Sequence, residues 1–174
     1  MVKKLVLTSK ISKYLQDKHP VRKSIEYSNV RNIGVIINMQ DLTDVSEIDR
    51  LKTQLSTEHS NIQVIAYVTD TKKLPDYFIL KNIHYFSSKD ISTTGKILAK
   101  KLQDFVDKEF DILYVVNSKT NNYIDYVSSL SKANFRMGLY QKDRKDMYEL
   151  SIELEKYSTD LLISQLRTYS KIIS

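Results

Sequence analysis

The residues able to do chemistry fall at a few places along the chain, and most fail the spacing their chemistry requires. Thr93-Thr94-Gly95-Lys96 has the end of a phosphate-binding loop. Such a loop needs a glycine six residues before the lysine and a hydroxyl just after it, yet Asp90 holds the first position and Ile97 follows the lysine. The tetrapeptide therefore reads as an ordinary helix start. A dinucleotide fingerprint places glycines after the first strand so that backbone can approach a pyrophosphate. Asn38-Met39-Gln40-Asp41-Leu42-Thr43 stands there without one. A phosphoacceptor site needs an acidic pair after the first strand and an aspartate after the third. Asp41 and Asp44 are not adjacent, and Ser87-Ser88 occupies the second position.

The remaining catalytic patterns are equally thin. His19, His59 and His84 form no paired ligand spacing, and the chain has no cysteine, so thiolate metal sites, disulfides and cysteine nucleophiles are excluded. His84 lies in an apolar run and reads as structural. There is no nucleophile elbow and no paired-aspartate motif for metal-dependent sugar transfer. Asp143 and Asp146, flanking Arg144 and Lys145, read as a solvated turn. No catalytic residue, metal or cofactor is expected, and the balance leans away from an enzyme.

Two features remain. In an open parallel sheet, ligands bind beyond the carboxyl ends of the strands. That rule points to Asn38, Met39, Gln40, Thr69, Asp70, Ser87, Asn117 and Ser118 as the residues that line such a crevice. The second feature is charge. Residues 1–31 hold eight of the 27 basic side chains and two of the 21 acidic ones; the rest of the chain balances at 19 against 19. The whole net charge of +6 thus sits in the first segment. Lys3, Lys4, Lys10, Lys13, Arg22 and Lys23 form a candidate patch for an anionic partner, whether RNA, ribosome or membrane surface. The plainer reading is a solvated helix that keeps the protein dispersed.

These residues must be positioned by regular elements. Leu7, Ile11, Tyr14 and Leu15 recur at helical spacing, and His19-Pro20 ends that pattern. From Asn32 onward, short continuous apolar runs alternate with amphipathic segments. Strands are predicted at 33–39, 62–68, 83–86, 112–116 and 135–139, the runs at 33–38, 63–68, 112–116 and 135–139 being neighbours. Helices are predicted from Ser46, over 94–109 with Leu98, Leu102, Phe105 and Val106 inward, and from Asn122. KKLPDY at 72–77 reads as a turn. Residues 147–154 alternate apolar and polar, which suits an edge strand. Ser158 or Thr159 caps a last helix with the stripe Leu162, Leu166, Tyr169 and Ile173. Strand–helix alternation implies a three-layer α/β/α sandwich, a Rossmann-like and mostly parallel sheet of five to six strands, with extra helices at the amino and carboxyl ends.

A chain of 174 residues is normally one domain and buries roughly 70% of the surface its unfolded form exposes. The expected organisation is a basic helical segment, 1–31, packed on a single α/β domain, 32–174. Three glycines and two prolines leave little room for a flexible linker. Leu5-Val6-Leu7 is too short for a signal-peptide core, and no apolar run reaches a membrane span of roughly 18 residues. No transmembrane segment and a cytoplasmic location are the expectations.

Phe110-Asp111 opening a strand, the turn Lys73-Leu74-Pro75-Asp76-Tyr77 and the run Ser131-Lys132-Ala133-Asn134-Phe135-Arg136-Met137-Gly138 resemble an uncharacterised bacterial α/β family of unknown function, across residues 3 to 173. More remotely, 110–140 is similar to part of one Rossmann-like domain of the heptosyltransferases. That resemblance implies structural roles for Asp111, at a strand start, and Gly138, at a close approach. Those enzymes have two such domains and a glycine- and aspartate-containing loop after the first strand, which 38–44 lacks. No catalytic residue carries over.

Three expectations follow. The first is a non-enzymatic binding protein that meets an anionic partner through residues 1–31. The alternative is a small-molecule or nucleotide-sugar binding domain, a degenerate glycosyltransferase-like half. A third is a homo-oligomer formed through the edge segment 147–154 or through tyrosines such as Tyr77, Tyr85, Tyr114, Tyr123, Tyr126, Tyr140 and Tyr148.

Overall fold

A computed structural model describes residues 2–17, 26–42, 46–56, 61–70 and 83–172. The predicted turn at 72–77 lies outside these residues, as do His19, Pro20, Arg22, Lys23 and Ile173.

In chain order the elements are α1 (Val2–Gln16), β1 (Asn32–Asn38), α2 (Ser46–Ser56), β2 (Asn61–Tyr67), β3 (Ile83–Phe86), α3 (Lys100–Asp107), β4 (Ile112–Val116), α4 (Asn122–Leu130), β5 (Phe135–Leu139), β6 (Leu150–Ile152) and α5 (Thr159–Ile172). The six strands form one parallel sheet in the order β3-β2-β1-β4-β5-β6. The four runs expected to be neighbours are neighbours. Side chains alternate between the faces, as strand geometry demands. Ile33, Val35 and Ile37 of β1 and Tyr114 and Val116 of β4 pack with Leu51 and Leu55 of α2 and Leu162 and Leu166 of α5. Ile36, Leu113 and Val115 face the opposite way, onto Leu7 and Ile11 of α1, Phe105 of α3 and Ile124 of α4. Burial on both faces explains why these strands read as unbroken apolar runs.

Close approaches between layers depend on two glycines. A Cβ on Gly34 would stand 2.8 Å from the Phe110 ring, and one on Gly138 would stand 2.5 Å from the Tyr148 ring. Asp111 joins two strand starts: one carboxylate oxygen accepts from the backbone N–H groups of Arg31 at 2.9 Å and Asn32 at 2.8 Å. The structural parts expected of Asp111 and Gly138 are those they play here.

Three expected elements differ. The helix over 94–109 starts only at Lys100. Ser92 folds the preceding stretch into a closed turn, accepting from Lys96 N–H through its hydroxyl and donating its own N–H to the Lys96 carbonyl, both at 2.8 Å. Gly95 takes φ +85°, a left-handed conformation that helix cannot continue through. Leu98, expected inward, is consequently 60% exposed. The edge strand spans only 150–152, because Met147 and Tyr148 turn inward into the α1 face of the core. On α5, Tyr169 is exposed and Ile163 takes the inward place beside Leu162 and Leu166.

α1 belongs to the core of the domain. Leu7 and Ile11 are fully buried, each contributing about 1.5–3 kcal/mol. Its polar contacts are specific. Lys3 Nζ donates to the Ser88 carbonyl at 2.7 Å, Asn122 Nδ2 donates to Thr8 Oγ1 at 2.9 Å, and Lys10 Nζ lies 3.4 Å from the Tyr126 hydroxyl. That hydroxyl donates in turn to the Gly95 carbonyl at 2.7 Å. The helix is thereby fastened both to α4 and to the loop that leads into α3.

Candidate functional site

In this strand order the chain leaves β1 toward β2 on one side and builds from β4 toward β5 on the other, so the crevice opens at the carboxyl ends of β1 and β4. The last residue of β1, Asn38, and the first residue after β4, Asn117, meet there. Asn38 Nδ2 donates to Asn117 Oδ1 at 3.0 Å, and both side chains are buried. Asn38 Oδ1 accepts from Gln40 N–H at 3.2 Å, which sets the 3-10 turn at 39–41. That turn aims Gln40 Nε2 at Thr69 Oγ1, 2.7 Å away. It also aims the Asp41 carboxylate at Ser118, which donates its N–H at 2.6 Å and its hydroxyl as well. Of the eight expected lining residues, Asn38, Gln40, Thr69, Asn117 and Ser118 thus share one end of the sheet. Met39 packs into the core instead. Asp70 pairs with Lys89 at 3.0 Å, and Ser87 caps its own short turn with Asp90.

Asp41 is the residue the sequence undervalued. Weighed only as a phosphoacceptor, it is the anion that the Ser118 amide binds. The carboxylate stands where the N–H groups leading into α4 would otherwise meet a ligand's negative charge. The helix start beyond is satisfied too, since Asn121 Oδ1 accepts from Tyr123 and Ile124 N–H. Beside Asp41 lies an open cleft of about 400 Å³ lined by Glu47, Arg50, Tyr157, Thr159 and Asp160. Three carboxylates face one guanidinium there, and Arg50 lies 3.6 Å from Asp160. Burial pushes the Tyr157 hydroxyl up to about 12, so it stays a neutral donor at physiological pH. A phosphate would meet net negative charge in this cleft. Among the described residues, Asn117 Nδ2 is buried with no hydrogen-bond partner.

The cations are arranged otherwise. Lys4, Lys10 and Lys13 of α1 are exposed, and the α3 lead-in adds Lys96 and the first turn of α3 Lys100 and Lys101, all exposed. Two contacts join α1 to the stretch before α3: Lys10 reaches within 2.9 Å of where a Gly95 Cβ would stand, and Lys3 holds the Ser88 carbonyl. None of these lysines is in an ion pair among the described residues. Of the nearby acids, Asp70 pairs with Lys89 and Asp90 caps the Ser87 turn, while Asp17 and Asp104 follow Lys13 and Lys100 by four residues without an ion pair among the described residues. Of the expected patch, Lys3, Lys4, Lys10 and Lys13 lie on α1, while Arg22 and Lys23 fall outside the described residues. Lys96, Lys100 and Lys101 were invisible to a count made along residues 1–31, and reading 94–109 as one helix hid the turn that presents Lys96.

Two further cations are consumed by structure. Arg136 Nη1 meets Glu149 Oε1 at 2.9 Å with both side chains under 10% exposed, and its other nitrogens donate to the carbonyls of Ser128 and Ser131. Tyr14 of α1 sits over this guanidinium at 5.6 Å. Arg144 Nε meets Asp125 Oδ2 at 3.3 Å. Burial outweighs that partner and pushes the Asp125 carboxyl up to about 6. Burial also lowers the His84 imidazole below its usual value, with Lys101 adding to the effect.

Among the described residues, no group of three or more His, Cys, Asp or Glu side chains converges as a metal site, and no helix is long and apolar enough to cross a membrane. Residues 3–173 match the Family of unknown function (DUF6913), and the chain belongs to that family. Comparison with curated proteins finds no match.

Proposed function

We propose that this protein is a binding module that docks an anionic partner on the surface formed by α1 and the α3 lead-in. The observation that carries the reading is a set of exposed lysines with no ion pair among the described residues, Lys4 and Lys13 on α1, whose opposite side is anchored, Lys96 just before α3, and Lys100 and Lys101 at its start. Exposed cations without counter-charges raise the local potential and attract anions over about 8 Å at physiological ionic strength. Lys3 and Lys10 also hold α1 in place, so replacing them disturbs the fold as well as the charge. The test therefore uses Lys4, Lys13, Lys96 and Lys100, all changed to glutamine. Wild type should bind immobilised heparin at low salt and elute steeply as salt rises, while the variant should elute early. Equal elution of both would refute the reading.

A second reading places an uncharged small molecule at the β1–β4 crevice, favoured by the unpartnered Asn117 amide nitrogen in a Rossmann strand order. The remote heptosyltransferase resemblance fits it, but the three carboxylates of the adjoining cleft oppose a nucleotide-sugar donor. Isothermal titration with nucleotide-sugars should give no heat; micromolar binding would move the functional site to this crevice. Association of copies along the three-residue β6 edge is a weaker reading, since the edge is short.

A further inference from the structure

We infer that the anionic partner is a lipid bilayer surface, with Val2 and Leu5 of α1 and Leu98 of the α3 lead-in entering its headgroup region. This inference rests on the proposed basic surface and names its partner. Val2, Leu5 and Leu98 are 66%, 64% and 60% exposed, among the most exposed large apolar side chains described. All three lie at the lysine-rich corner. Lys3, between Val2 and Leu5, holds the Ser88 carbonyl, and the turn starting at Ser88 ends at Asp90, whose carbonyl accepts from Leu98 N–H at 2.8 Å. Lys4 lies beside Leu5, and Lys96 and Lys100 bracket Leu98.

Aliphatic side chains standing among lysines match an anionic interface. The ammonium groups meet lipid phosphates while the apolar tips leave water, the combination by which surface-lying helices bind. RNA would use this surface differently. Single strands are held by aromatic or guanidinium faces on which bases stack. The described part of the surface offers no exposed aromatic ring and no arginine. Tyr126 is 3% exposed, and Tyr123 is already stacked on Tyr67 with ring centroids 5.7 Å apart. Exposed aliphatics add nothing to phosphate contacts, and Val2, Leu5 and Leu98 offer no flat face on which a base could stack. No insertion across the bilayer is implied: α1 buries Leu7 and Ile11 in its own domain and has only its outer side to give.

The test uses the full chain with vesicles of phosphatidylcholine alone and of phosphatidylcholine with 30% phosphatidylglycerol, and in parallel a labelled single-stranded RNA. The wild type should sediment with the anionic vesicles only. Each lysine near a charged membrane contributes about fivefold in affinity, so the Lys4, Lys13, Lys96, Lys100 glutamine variant should lose on the order of a hundredfold or more. Changing Val2, Leu5 and Leu98 to serine should weaken vesicle binding by at least about tenfold, the scale of losing buried aliphatic surface, and leave heparin elution unchanged. The chain has no tryptophan, so Leu5→Trp supplies a single reporter that does not depend on the triple variant folding. Its emission should shift to the blue with anionic vesicles. Vesicle binding unaffected by the serine changes, or a Leu5→Trp emission that stays water-like in the sedimented complex, would overturn the lipid inference. RNA binding without vesicle binding would overturn it too, while leaving the basic-surface reading intact. Binding to neither vesicles, RNA nor heparin would overturn both.

Discussion

The β1–β4 crevice and the α1–α3 edge hold much of the polar chemistry of this domain and use it in opposite ways. At the crevice, side chains answer one another: Asn38 bonds Asn117, Gln40 bonds Thr69, and Asp41 takes the amide and hydroxyl of Ser118. At the edge, the lysines have no carboxylate partners among the described residues and the aliphatic tips face water. The fold offers its generic ligand position at the first place, and this sequence has closed it with its own carboxylate. Unsatisfied charge and exposed apolar surface have moved to the second. Where a fold places ligands and where a particular chain keeps its unused interactions are separate questions, and the proposed function rests on the second.

The comparison depends on telling charge consumed by structure from charge left over, and substitutions can break it at each level. Arg136→Met should have the largest effect. It leaves Glu149 buried without its partner and removes the cation under Tyr14, costing about 3–5 kcal/mol in urea unfolding. A loss under 1 kcal/mol would mean that the pair is not structural and that Arg136 belongs with the free cations.

Asp125 gives a pH signature of the same kind. Its folded value, about 6, lies above the ordinary 3.8 because of burial. The native state therefore keeps a proton that the unfolded chain gives up. Its contribution to stability is complete below pH 3.8 and is lost as the pH rises through about 6, a swing on the order of 3 kcal/mol. Asp125→Asn should flatten that part of the stability profile. An unchanged profile would show that Arg144 keeps the carboxylate ionised in the native state throughout.

At the crevice, Asp41→Ala strips Ser118 of its acceptor and should cost about 1–3 kcal/mol, with no change in heparin elution. A gain in heparin affinity there would mean that Asp41 had been masking the anion site. Smallest in stability is the change of Lys4, Lys13, Lys96 and Lys100 to glutamine, expected to stay within about 0.5 kcal/mol of wild type because exposed unpaired charges stabilise little. A large loss would place those lysines with Arg136, as structural cations.

The sheet was legible because a parallel sheet covered on both sides leaves unbroken apolar runs such as 33–37 and 112–116, and sequence shows these directly. α1 was legible for the same reason, its stripe Leu7, Ile11, Tyr14 and Leu15 being the side that packs. The α3 lead-in was not. Leu98 keeps the helical spacing of Leu102, Phe105 and Val106, and the left-handed Gly95 and the Ser92 hydroxyl bonds stop the helix, effects that periodicity does not carry. The crevice was half legible. Strand exits could be named from the apolar runs, but that Asp41 folds back onto Ser118 depends on a contact between residues 77 apart in the chain. The charge was legible along residues 1–31, but not that α1 docks beside the stretch that carries Lys96, because the contacts of Lys3 with Ser88 and of Lys10 with Gly95 join residues 85 apart in the chain.

The most direct measurement of the central claim is amide resonance mapping of the full chain titrated with small bicelles containing phosphatidylglycerol. Loss of intensity should concentrate at residues 2–13 and 92–101 and leave 38–42 and 117–121 unchanged, and added salt should reverse it. Perturbation confined to the crevice residues, with α1 and the α3 lead-in silent, would contradict the account.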